Sequence, residues 1–347
     1  MLRKIIKSSS LIVCILCIAG SAPAKEMLIS GKTMGTTYNI KVVAGHVQNL
    51  AMLEDKINKR LDEINQSMST FIKDSEISRF NGLSNVGDKF YASDDFFHVM
   101  TVAESLYKLT DGAWDGTVMP LEKMWGFNRR RQKRVIPKKE EIDRLLPDIG
   151  FCHIEISENR YLVKRKTRIS VDLASIAKGY AVDQIADLIK KDGINSFLVE
   201  IGGEVYAAGF RNDGKNWKVG INRPQKDSSF DHVYKVVKLH DRALATSGDY
   251  RNFFEIDGKR YSHILNPATG HPVSNGVISV SIVADTCMFA DGLATAVMVM
   301  GAMKGLELIN SLNSVEGLIV VKGKNGAFID YFSKGFSKRS RKVEIGK

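Results

Sequence analysis

The chain has 347 residues, 44% of them apolar and 26% charged, with a formal net charge of +11. That length can bury a large core, in one big domain or two intimate subdomains. The positive charge favours anionic ligands, but the basic runs at Arg129–Arg134 and Lys334–Lys347 read as solvated surface and form no aromatic-interleaved basic motif, so no nucleic-acid partner is expected.

Arg3, Lys4 and Lys7 precede an apolar run from Leu11 to Ala19 and an Ala22-Pro-Ala24 site. A basic stretch, a short apolar stretch and a small-residue cleavage site make residues 1–24 a secretory signal peptide. Export to a bacterial periplasm follows. Its removal lowers the charge from +11 to +8, three fewer for Arg3, Lys4 and Lys7. Cys14 and Cys17 have C-x-x-C spacing but fall inside this segment, and neither follows small residues, so a lipid anchor is not expected. Cys152 and Cys287 remain, either as one disulfide of an oxidising compartment or as two buried thiols. No later segment reaches the roughly 18 uninterrupted apolar residues of a membrane helix.

Residues 25–347 read as a single domain. Met27–Ala44 alternates and forms a first strand or hairpin arm. Leu50, Leu53, Ile57, Leu61, Ile64 and Met68 step by three and four, an amphipathic helix. A second helix covers Asp94–Leu109, Asp111–Phe127 is irregular, and Pro137–Leu146 is a short helix. Glu155–Val171 is a hairpin turning near Glu158, with a strand over Tyr161–Val171. A helix spans 174–191, then strands at Phe197–Ile201 and Glu204–Ala208, near 217–221 and 232–240. Phe253–Ile256 and Arg260–Leu265 flank Asp257-Gly258, the strongest short hairpin signal. Asn266–Pro272 is a turn, Val277–Val283 a strand, and helices follow at 286–300 and 303–312 before a terminal hairpin over Lys322–Gly326. Hairpins mixed with long helices make an α+β fold.

Two places carry chemistry. Asp172 and Lys178 lie across a strand-to-helix junction, where free backbone N–H groups and the positive end of the helix suit phosphate. Asp172 also fits a plain N-cap. Farther on, Asp285–Met300 is nearly all apolar except Asp291 and Thr295, which are i and i+4 and share a face. A carboxylate and a hydroxyl there suit a hard cation such as Mg²⁺, which takes oxygen ligands and keeps waters and substrate phosphates in its shell. The alternative pairs Asp291 with a basic residue and bonds Thr295 to its own backbone. Lys32–Thr37, Asp111–Thr117, Ala245–Arg251 and Ser262–Gly270 are loops rich in hydroxyls, carboxylates and a histidine, of the kind that carry function.

Together these segments resemble the ApbE family, the FAD:protein FMN transferases. The resemblance runs through Gly31-Lys-Thr-Met-Gly-Thr36, Asp111-Gly-Ala-Trp-Asp115, Asp172-Leu-Ala-Ser-Ile-Ala-Lys-Gly-Tyr-Ala-Val-Asp183 and Glu200-Ile-Gly-Gly203. It continues through Ala245-Thr-Ser-Gly248, Ser262-His-Ile-Leu-Asn-Pro-Ala-Thr-Gly270 and Ala290-Asp-Gly-Leu-Ala-Thr295, in family order. It implies a T-fold-related arrangement of mixed antiparallel sheets with packed helices and a ligand site between two intimate subdomains. It further implies that the FAD pyrophosphate and Mg²⁺ meet between Asp172–Lys178 and Asp291–Thr295. The metal ligands it implies are Asp291, Thr295 and the Ser175 carbonyl; an acid often found in the family three residues after the first Asp is here Ala294. The flavin contacts it implies are Met34, Phe71, Ala113, Trp114, Asp115, Asp172, Lys178 and Leu265.

The reaction implied is attack of an acceptor-protein threonine hydroxyl on the FMN-side phosphorus, with AMP leaving and Lys178 and Mg²⁺ spreading the charge. His263 is the candidate base, since strand alternation sets it on the same face as Leu265; the alternative is a structural histidine bonding the Asn266-Pro267 turn. Implied acceptors are flavin-bearing subunits of the sodium-pumping NADH:quinone oxidoreductase and its electron-transport relatives, presenting a small-residue motif ending in Thr. Ser175-Ile-Ala-Lys178 also fits the S-x-x-K motif of penicillin-binding proteins and β-lactamases, but the downstream K-T-G-like strand is missing. FAD hydrolysis and plain FAD binding use the same pocket and stay open.

Overall fold

The computed structural model describes residues 25–44, 50–127, 134–225, 232–250, 252–336 and 340–342. The segment expected to be a signal peptide (with Cys14 and Cys17), the basic run except Arg134, Arg251 and most of the C-terminal run lie outside the described residues.

In chain order the elements begin with a hairpin of β1 (Lys25–Thr33) and β2 (Thr36–Ala44), followed by α1 (Leu50–Met68), α2 (Glu76–Asn81), β3 (Lys89–Tyr91) and α3 (Asp94–Leu109). Next come α4 (Met119–Trp125), α5 (Lys139–Leu145), β4 (Ile154–Ile156), β5 (Tyr161–Lys164) and α6 (Ala174–Lys191). Then follow β6 (Phe197–Ile201), β7 (Glu204–Ala208), β8 (Trp217–Asn222), β9 (Val233–Leu239), β10 (Arg242–Gly248), β11 (Phe253–Ile256) and β12 (Lys259–Ser262). The last are β13 (Val277–Ala284), α7 (Cys287–Met300), α8 (Ala302–Ser311), β14 (Glu316–Lys322), β15 (Phe328–Phe332) and β16 (Ser340–Lys342).

The fold is α+β. An eight-stranded antiparallel sheet in the order β1-β2-β6-β7-β10-β13-β14-β15 forms its spine. Helices α1, α6 and α7 cover one face, where Ile40, Val199, Tyr206, Ala243, Ala245 and Ile282 join the main core. The alternating partners Val205, Ala207, Leu244, Val283 and Leu318 point the other way, onto Trp217, Ile221, Val237 and Leu239 of the small β16-β9-β8 sheet. The middle strands are thus covered on both sides, and all eight residues of β13 are buried. A third cluster of Leu121, Trp125, Ile142, Phe254, Tyr261 and Leu265 ties α4 and α5 to the β11–β12 hairpin.

Several expectations are corrected here. Asp111–Phe127 is not wholly irregular: Pro120 near its start and the left-handed Gly126 after its end frame the helix α4. Ala245–Gly248 is no loop but the end of β10, paired with β13. The strand expected over Tyr161–Val171 stops at Lys164, whose buried ammonium donates to the Asn81 and Leu83 carbonyls as the chain leaves the sheet. Cys152 is exposed, Cys287 is buried, and both are free thiols.

Two contacts lock α6 against α7. Asp183, on α6, accepts from the N–H groups of Cys287 (2.7 Å) and Met288 (2.9 Å). It thereby supplies the cap that Thr286, at the N-cap of α7, does not make. One turn earlier, Gly179 sits where a Cβ would be 2.5 Å from the Cys287 carbonyl oxygen. Alanine is the better helix former by roughly 1 kcal/mol, yet here its methyl meets backbone, which cannot swing away. We expect Gly179→Ala to destabilise the protein by about 1–3 kcal/mol, the usual cost of overpacking. Chemical denaturation measures this, and a variant as stable as the parent refutes the tight crossing.

Candidate active site

The strand-to-helix junction is held from two sides. Asn81, at the end of α2, donates to the Val171 carbonyl (2.8 Å) and accepts from the Val171 N–H (2.7 Å). The Asp172 N–H donates to the Gly116 carbonyl at 2.8 Å, which docks the Asp111–Thr117 loop onto the start of α6. In the same loop Trp114 is buried, and its indole N–H donates to the Ser175 hydroxyl at 3.1 Å. Asp115 accepts from the Thr117 N–H and hydroxyl and from the Phe151 N–H. Both of its oxygens are occupied within the scaffold, so the carboxylate shapes the loop.

Asp172 is not the N-cap; that position is Leu173. Its Oδ1 reaches forward to the Ala174 N–H at 2.8 Å, so it still satisfies a free donor of the first turn. Burial raises its pKa, opposed by that N–H and by Lys123 on α4.

One turn into α6, Lys178 is the centre of the charge cluster. Its Nζ lies 2.6 Å from Oε1 of Glu204, the first residue of β7. The lysine side chain is 30% exposed and Glu204 only 4%, so the carboxylate is the more deeply buried of the two. The stem runs beside the Gly202–Gly203 turn. A Cβ on Gly202 would lie 2.8 Å from Thr36 and 3.4 Å from Lys178 Cδ, so the glycine makes the channel. Asp291 on α7 is buried, and its Oδ2 accepts from the Gly179 N–H at 3.2 Å. Burial disfavours charge on Lys178, but the carboxylates of Asp291 and Glu204 outweigh it and raise its pKa. Burial, aided by Glu204 and resisted by Lys178, raises that of Asp291.

Thr295 shares the Asp291 face of α7, and its hydroxyl is 2.9 Å from that of Ser247 on β10. It therefore bonds a neighbouring strand and not its own helix. The implied ligands Asp291, Thr295 and Ser175 are all oxygen donors, and among the described residues the buried Glu204 Oε2 has no hydrogen-bond partner. Hard oxygen donors with an excess of buried negative charge fit Mg²⁺. Among the described residues no three His, Cys, Asp or Glu side chains form a metal cage of their own.

The remaining expected residues lie on other elements. Met34 forms the two-residue β1–β2 turn with Gly35, at φ of 48° and 72°, and the Thr33 hydroxyl accepts from Asn65 of α1 at 3.0 Å. Ala113 is half-buried in the Asp111–Thr117 loop. Phe71 is 85% exposed after α1, a ring available to a ligand's aromatic system. Leu265 is buried in the third cluster, so it does not line open space with its whole side chain.

His263 stands outside β12, which ends at Ser262, so strand alternation does not set its direction. Its orientation comes instead from Asn252, whose carbonyl lies 2.9 Å from Nδ1; neither the Asn266-Pro267 turn nor a carboxylate holds it. A carbonyl only accepts, so Nδ1 carries the proton and Nε2 is left with a lone pair. Burial lowers the His263 pKa, the Asn252 carbonyl opposes this, and Arg260 lowers it further.

Glu204, Ser247 and Asp183 were not assigned roles from the sequence. Glu204 carried the same signal as Asp291, a lone acid in an apolar run (Gly203-Glu-Val-Tyr-Ala-Ala208). Ser247 had none, since its importance is a cross-strand neighbour.

The ApbE family model matches residues 34–319. A FAD:protein FMN transferase of Vibrio cholerae is 42% identical over 324 residues, covering 93% of this chain and 95% of the relative. One from Haemophilus influenzae is 36% identical, covering 92% and 93%. The solved structure of flavin transferase ApbE from Vibrio cholerae superposes with a TM-score of 0.83 at 40% identity, over 91% of this chain and all of that one. The apo form of Pseudomonas stutzeri flavinyl transferase ApbE gives 0.81 at 35%, over 91% and 97%.

Proposed function

Because this chain belongs to the ApbE family, we propose that it is a flavin transferase that moves FMN from FAD to a threonine hydroxyl of an acceptor protein. The threonine oxygen bonds the FMN-side phosphorus, the pyrophosphate bridge breaks, and AMP leaves. The observation that carries this reading is the buried cluster of Lys178, Glu204 and Asp291 at the first turns of α6. It combines a lysine ammonium, the positive end of a helix and hard oxygen donors, which is what a metal-bound pyrophosphate needs.

Asp291, Thr295 and the Ser175 carbonyl would hold Mg²⁺. Bound there, it would neutralise phosphate charge. The chain's own groups do the rest. Lys178 faces the phosphate oxygens as a fixed positive charge, and the amides at the start of α6 add partial positive charge where negative charge grows. Asp172 and the Asp111–Thr117 loop fix that helix start, and His263 Nε2 takes the threonine proton. Met34, Phe71, Ala113, Trp114 and Leu265 contribute the flavin side, Trp114 as the brace beneath Ser175.

The test is incubation with FAD, Mg²⁺ and a threonine-bearing acceptor domain, such as a flavin subunit of a sodium-pumping NADH:quinone oxidoreductase. We expect a covalently fluorescent acceptor and one AMP per flavin transferred. Free FMN without labelled acceptor makes the protein a FAD hydrolase, and neither product makes it a binder. Such acceptors are exported, and the Arg3–Ala24 segment supports a periplasmic location for this chain too.

A further inference from the structure

Lys178 has two acidic neighbours, and both act on its ammonium. Among the described residues it lies within ion-pair distance of Glu204 alone, at 2.6 Å. Asp291 is left to accept from the Gly179 N–H. The stem of the lysine is confined between the Gly202 turn and the rest of α6, so only its head is free to choose a partner. Glu204 is 3% exposed, and its Oε2 has no donor. Such an atom is costly to bury, so a packing role alone does not account for a carboxylate here.

We propose that Glu204 is a positioning residue that holds the Lys178 ammonium away from Asp291, keeping the Asp291 carboxylate available to the cation. Without Glu204, the nearest anion for the ammonium is Asp291. A Lys178–Asp291 pair in this buried setting would occupy the oxygen that the metal needs, and the metal would have to break it to bind. Glu204 itself touches neither the reacting atoms nor the carboxylate it protects. The inference rests on the metal reading given above.

The test measures Mn²⁺ affinity by calorimetry in FAD-saturated protein without acceptor, so turnover is not the readout. Four proteins form a cycle: parent, Glu204→Gln, Lys178→Met and the double variant. Glu204→Gln should weaken Mn²⁺ binding by about 10–100-fold, the range for partners that orient a metal ligand. In the Lys178→Met background the same change should have little effect, and Glu204→Asp should recover most of the parent affinity. Unchanged affinity in Glu204→Gln overturns the proposal. So does an equal loss in both backgrounds, which would make Glu204 act on the cation directly. Either result leaves the metal reading intact, whereas a parent that binds no Mn²⁺ removes the metal reading and this inference with it.

Discussion

Replacing Asp291 with Asn should reduce FMN transfer by about 10³-fold or more, because a bound metal contributes several kcal/mol of charge stabilisation. Asparagine keeps an acceptor for the Gly179 N–H and nearly the same volume, so the fold is preserved. Stability should move the other way. The folded pKa of Asp291 is raised by burial, so the folded protein holds its proton more tightly than the unfolded chain. Its carboxylate therefore costs stability increasingly as pH rises from the ordinary carboxylate range toward the raised value. In metal-free buffer at alkaline pH the Asn variant should be at least as stable as the parent. Mn²⁺ calorimetry, transfer rates and denaturation read these three outcomes. Full transfer by the variant in chelator-treated buffer would rule Asp291 out as a ligand.

His263→Ala should slow transfer by about 10²–10⁴-fold, the usual contribution of a general base, with FAD affinity nearly unchanged. The argument is the tautomer: the Asn252 carbonyl fixes the proton on Nδ1, so Nε2 is ready to accept. The lowered pKa keeps the ring neutral at physiological pH. In the parent, transfer should hold steady through neutrality and fall only below the ordinary histidine value of about 6.5. The variant should lose that acid limb. Weaker FAD binding with an unchanged rate at saturating FAD would instead make His263 structural.

Much of the scaffold was legible because its elements are one-sided or sharply punctuated. Leu53, Ile57, Leu61 and Ile64 mark one face of α1, and Asp257-Gly258 turns β11 into β12 with φ of 50° and 72°. What escaped was what lies between other layers. β10 reads Arg-Ala-Leu-Ala-Thr-Ser-Gly, small residues with weak strand preference, and it is covered on both sides, so no polar alternation survives. Asp291 was legible as a lone charge on an apolar helix. Glu204 carries an equal signal, but its meaning lies in Lys178, which reaches it only through tertiary structure. The alternation argument for His263 loses its premise, since the strand it presumes ends at Ser262.

The clasp between α6 and α7 bears on how this protein can move. Asp183 closes the start of α7, and Gly179 presses on the same turn. Lys178 and Asp291 sit within that joint, so sliding either helix would break the carboxylate–N–H bonds that Asp183 and Asp291 make across it. The clasp thus sets Lys178 and Asp291 on two helices tied to each other at one turn, the kind of rigid support a preorganised charged site needs.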